Sequence, residues 1–131
     1  MKLDEFTTAY IEAAFWSTSD DSPREGGEPL DKHYTPSDLE PATLERMIAD
    51  CKAFQESNRA DIYDEDNFLR CCNWSSESQA GHDFWLTRNG HGAGFWDGDW
   101  EEKVGERLTA ASKAFGEYSL LVGTNGTVYG A

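Results

Sequence analysis

Apolar residues along this chain change period from one stretch to the next. Phe6, Tyr10, Ala13 and Ala14 recur at helical spacing with Ile11 beside them, so residues 4–17 are predicted as a helix. Leu44, Met47, Ile48, Cys51 and Phe54 follow the same period after Pro41, whose fixed φ suits a first helical turn. Between these two, residues 17–38 read "STSDDSPREGGEPLDKHYTPSD", and no apolar period survives the Pro, Gly, Asp and Ser. A long acidic loop over about 19–36 is the expectation there. The stretch "ADIYDEDNFLRCCNWSSESQ" fits a short helix or an irregular segment equally well.

The second half is richer in turn signals. Residues 82–88 and 91–97 read as strands around Asn89-Gly90, a strong hairpin dipeptide. A third helix follows over about 100–115, with Asp99 as N-cap, Glu102 completing a capping box and Gly116 as the stop. Its stripe is Trp100, Val104, Leu108, Ala111 and Phe115. "YSLLVGTNGTVYG" repeats the hairpin logic around Asn125-Gly126. The fold class expected is α+β in one domain, 1–131. Two N-terminal helices lead into a β-hairpin, a helix and a second β-hairpin, whose small antiparallel sheet packs against the helices.

A two-residue turn at Asn89-Gly90 would fix the register. Phe84 then faces Phe95, Trp85 covers Gly94, and His82 lies opposite Asp97 at the open end. Arg88 faces His91 at the tip. This explains most of the aromatic and glycine content of "AGHDFWLTRNGHGAGFWDGDW" as folding code. It also holds His82 and His91 roughly 20 Å apart, too far to share a metal.

Charge changes the picture next. The chain carries 25 Asp and Glu against 11 Lys and Arg, a formal −14, and −11 of it falls in residues 1–66. Such a surface repels nucleic acid and anionic membranes and attracts basic partners. It serves solubility in the plain reading, and in the sharper one imitates the phosphates of nucleic acid. Asp20, Asp21, Glu25, Glu28 and Asp31, crowded in the long loop, are the candidate binding residues, with Arg88 and His91 added at the hairpin tip. The three cysteines, Cys51, Cys71 and Cys72, have neither disulfide nor zinc-finger spacing and read as reduced thiols. No signal peptide and no membrane-length apolar run is read, and neither a metal nor a cofactor is expected. Acid–base chemistry has one candidate, His82 with Asp97, in which the carboxylate would fix the imidazole tautomer. The plainer account makes that pair a cross-strand hydrogen bond.

The stretches "FTTAYIEAAFW", "GGEPLDKHYTPSDLEPATLERMIADC" and "AGHDFWLTRNGHGAGFWD" together resemble a family of small acidic proteins from bacteriophages and prophages. The resemblance covers most of the chain. It implies an origin and a setting in the cytoplasm of an infected bacterium, and assigns no residue a role. The function expected is an accessory protein that binds a basic host protein, as an inhibitor of a defence or nucleic-acid-handling factor, without direct nucleic-acid binding. The alternatives are a small hydrolase using His82 and Asp97, or a structural component of the virion.

Overall fold

Asp4 turns its carboxylate onto the Thr7 amide, 2.8 Å away, and so opens helix α1 (Glu5–Ser17). This computed structural model describes residues 3–20, 28–69, 75–91, 93–96, 98–123 and 125–131. The apolar stripe of α1 is wholly inside, with Phe6, Tyr10, Ile11, Ala13 and Ala14 all buried. Helix α2 (Pro41–Ile62) has Pro41 in its first turn and buries Met47, Cys51 and Phe54, while Leu44 packs half-buried against the core and Ile48 is half-buried. Its backbone leaves helical geometry at Asn58, whose side-chain amide donates to the Phe54 carbonyl one turn back.

Residues 76–88 form a helix, α3 (Ser76–Arg88), where a strand was expected over 82–88. The Ser75 hydroxyl accepts from the Ser78 amide as N-cap. At the other end Asn89-Gly90 stops the helix instead of turning a hairpin. The Gly90 amide donates to Thr87 O and the His91 amide to Leu86 O, with Gly90 at φ +71°. That pair of bonds is the Schellman arrangement, which asks for glycine in the left-handed region just as a tight hairpin turn does. The same dipeptide serves both devices, and here three successive apolar residues, Phe84, Trp85 and Leu86, pack around a helix rather than alternating across a sheet.

Helix α4 (Glu102–Ala114) ends near Gly116 as predicted, but its cap is Glu101, whose carboxylate accepts from the Val104 amide. Trp100 stays outside the helix, and Asp99 is not the cap. The strands are few and short. β1 (Ser19–Asp20) pairs antiparallel with β2 (Glu28–Pro29) inside the region expected to be loop. β3 (Leu120–Val122) pairs antiparallel with β4 (Val128–Gly130), and Gly126 lies in the loop between them at φ +78°. β4 docks on the start of α2, with the Glu40 amide donating to Val128 O and the Gly130 amide to Thr43 Oγ1.

The expected fold class is therefore corrected. The chain is mostly helical, with four helices and two separate two-stranded ladders among the described residues, and no hairpin around residue 89. With that hairpin go its cross-strand pairs. Phe84 stacks on Phe54 of α2 at 4.1 Å between ring centres, and Phe95 packs on the same ring at 5.8 Å. These aromatics form the centre of the core with Phe6, Tyr10 and Trp85. α1 and α3 approach so closely that a Cβ at Gly81 would run into the Phe6 carbonyl. Gly94 has Thr87 as its close neighbour rather than Trp85.

Candidate functional site

Helical spacing on α3 sorts its polar residues into two groups. Gln79 and Asp83, one turn apart, face inward. Gln79 Nε2 donates to Asp83 Oδ1 at 2.9 Å and Trp100 Nε1 donates to Asp83 Oδ2 at 3.0 Å, so both oxygens of a buried carboxylate accept hydrogen bonds. His82 stands at the edge of this cluster, its side chain 23% exposed, with Nδ1 3.4 Å from Asp83 Oδ1. Its ring stacks on Trp16 of α1, which is 45% exposed. The carboxylate beside His82 is thus the adjacent Asp83. Asp97, its expected partner, lies outside the described residues, and the register that set it opposite His82 does not form.

One turn further on, Arg88 is enclosed rather than displayed on a turn. Its side chain has no exposed surface. Nη1 donates to Asp50 Oδ2 at 2.9 Å and to the Tyr10 hydroxyl at 3.0 Å, while Nε and Nη2 donate to the carbonyls of Gly116 and Phe115. The rings of Phe84, Phe115 and Tyr118 lie 5.4–5.7 Å from the guanidinium carbon. A buried cation stabilises only when its donors are satisfied, and here all three nitrogens donate. Burial pushes the Tyr10 hydroxyl far above its usual range, although Arg88 opposes it, so Tyr10 stays protonated.

This polar core joins α1, α2 and α3 and closes the end of α4. It is scaffold. Cys51 is buried within it, and burial raises its thiol well above the ordinary value, which keeps it un-ionised. Cys71 and Cys72 lie outside the described residues. Where α1 begins, Gln55 Nε2 donates to Asp4, the Tyr63 hydroxyl donates to Gln55 at 2.5 Å, and Glu77 accepts from the Phe6 amide. Desolvation and the neighbouring Glu77 push the Tyr63 hydroxyl upward. The amides opening this helix are already held by two carboxylates of the chain itself.

Of the loop acids, Glu28 and Asp31 are exposed on β2 and the 3-10 turn Leu30–Lys32, and Glu28 contacts His33 Nε2 at 2.7 Å. Asp20 enters the β1–β2 ladder through its backbone, and Asp21 and Glu25 lie outside the described residues. His91 is exposed just beyond α3, on a groove it shares with Ser19, Tyr118 and Leu121. The C-terminal end of α3 thus separates what the expected hairpin tip had joined, with Arg88 inside and His91 outside. Among the described residues no group of three or more His, Cys, Asp or Glu is placed to hold a metal ion. No helix among them is long and apolar enough to cross a membrane.

Sequence reasoning missed the buried roles of Asp83 and Arg88 and the stacking of Trp16 on His82. Helical spacing of Ala80, Phe84 and Arg88 was the signal available, and reading the region as strand concealed it. Comparison with family models, with curated proteins and with solved structures returns no match.

Proposed function

We propose that this chain is a non-enzymatic accessory protein of phage origin, acting in the cytoplasm of the infected bacterium. Its carboxylate-rich surface engages a basic protein of the host, in the place nucleic acid would take. The observation that carries this reading is where the cations go. Arg88 is wholly enclosed, Arg46 bonds Asp50, and Arg107 bonds Asp61 through two nitrogens. The exposed Lys32, Lys52, Arg59, Lys103 and Lys113 are outnumbered by exposed carboxylates, among them Glu5, Glu12, Glu28, Asp31, Glu45 and Glu56. Internal neutralisation removes few outward carboxylates from a chain of net charge −14, so the surface field is strongly negative. The resemblance to small acidic phage proteins supports the setting.

Neutralising Asp20, Asp21, Glu25, Glu28 and Asp31 to Asn or Gln tests it. The tagged wild type should retain a nucleic-acid-handling protein from host lysate, losing it as salt rises from about 0.05 to 0.5 M, where the screening length contracts well below ~10 Å. The loop variant should lose it already at low salt. Glu40, Glu45 and Glu56 on and beside α2 make a suitable control set, because all three are exposed. Asp50 is unsuitable, since it anchors Arg88. Retention that ignores both salt and the loop substitutions contradicts the proposal.

A further inference from the structure

Phe95, Trp96, Gly98 and Trp100 line a cleft of about 300 Å³ together with the first turns of α4. Gly105 is part of its lining, and the absence of a side chain there lets the Phe95 carbonyl settle against the helix. Phe95 and Trp100, both buried, form its floor. Trp96 forms one wall and is 54% exposed, with no hydrogen bond or ring contact to any described residue. Glu102 and Glu106, one turn apart on α4 and both exposed, form the other wall, and neither has an ion pair among the described residues. Of the nearby cations of α4, Arg107 is held by Asp61, and Lys103 is exposed beside Glu102 and forms no ion pair with either carboxylate.

A half-exposed indole lining the same cleft as two exposed carboxylates and two buried aromatic rings is the chemistry that receives a cationic side chain. The indole face attracts the cation, the carboxylates neutralise and hydrogen-bond it, and the floor covers its methylene stem. A planar guanidinium suits this best, since it stacks on the ring and forks onto carboxylate at once. We propose that this cleft takes an arginine side chain from a basic protein partner. The proposal rests on the acidic-surface reading and gives it an anchor point. The diffuse surface charge draws the partner in, and the cleft holds one of its residues in register.

Titration of isotope-labelled protein with a capped Gly-Arg-Gly peptide, followed by NMR, tests it. The Trp96 indole N–H and the Glu102 and Gly105 amides should shift saturably, while the same peptide with neutral citrulline should leave them in place. Trp96→Ala, and separately the double variant Glu102→Gln, Glu106→Gln, should each weaken the arginine peptide by about threefold or more, from the loss of a cation–π or ionic contact. All three positions are exposed, so the remaining spectrum should stay unchanged and report an intact fold. Equal response to citrulline, unaltered affinity in Trp96→Ala, or no peptide shift at the cleft overturns the proposal. Partner capture from lysate by the Trp96→Ala protein then decides separately whether the acidic-surface reading stands.

Discussion

Arg88 shows how far a residue's role depends on the element that carries it. On a hairpin tip it would be an exposed cation available to a ligand. At the end of α3 it is the hub joining Asp50, Tyr10 and the carbonyls of Phe115 and Gly116. Arg88→Ala should therefore destabilise the protein by about 3–5 kcal/mol in urea unfolding, because the buried Tyr10 hydroxyl and the Phe115 and Gly116 carbonyls lose their donor and Asp50 keeps only the exposed Arg46. His91→Ala, by contrast, should change stability by less than about 0.5 kcal/mol, as an exposed position past a helix end. Asp4 gives a pH-dependent counterpart. Burial raises its pKa, but hydrogen bonds from the Thr7 side chain and amide and from Gln55 outweigh that, and the net shift is below the ordinary 3.8. A carboxyl lowered in the folded state contributes stability that is complete above 3.8 and fades as pH falls below it through the folded value. Asp4→Asn should flatten that part of the acid-unfolding curve in a denaturant series from pH 5 to pH 2, relative to wild type.

The elements were legible to different degrees, for physical reasons that can be named. α1, α2 and α4 each carry several apolar residues at helical spacing and a recognisable start or stop, and the hydrophobic period alone marks them. α3 does not, because Phe84, Trp85 and Leu86 are consecutive and all buried, which erases the amphipathic contrast. Its terminal Asn-Gly then pointed to the wrong device. A left-handed glycine closes both a hairpin and a helix, and only the bonds from Gly90 and His91 back to Thr87 and Leu86 tell them apart. The register that set His82 opposite Asp97 goes with the hairpin, and Asp97 itself lies outside the described residues. The acidic loop, read from composition, kept its place on the surface at Glu28 and Asp31. Two substitutions test the helix directly. Ser75→Ala should cost about 1 kcal/mol through loss of the N-cap. Gly81→Ala should cost about 1–3 kcal/mol, since the added methyl meets the Phe6 backbone of α1 rather than a movable side chain. A hairpin over 82–97 would make Ser75 a neutral site, and Gly94→Val would then clash with Trp85 instead of Thr87.

For the molecule as a whole, the inside and the surface answer to different demands. Inside, an aromatic cluster and the Arg88 network fix four helices without a metal-binding group among the described residues. Outside, carboxylates greatly outnumber cations, which favours association with basic surfaces and opposes direct contact with nucleic acid. The central claim is that this surface occupies a nucleic-acid groove on its host partner. The most direct measurement is displacement. A fluorescent DNA duplex bound to the captured partner is titrated with this protein, and anisotropy follows the duplex. Full release of the duplex is expected at a stoichiometric excess of protein, weakened at high salt and by the five loop substitutions. A ternary complex, in which the protein binds the partner while the duplex stays bound, would contradict it.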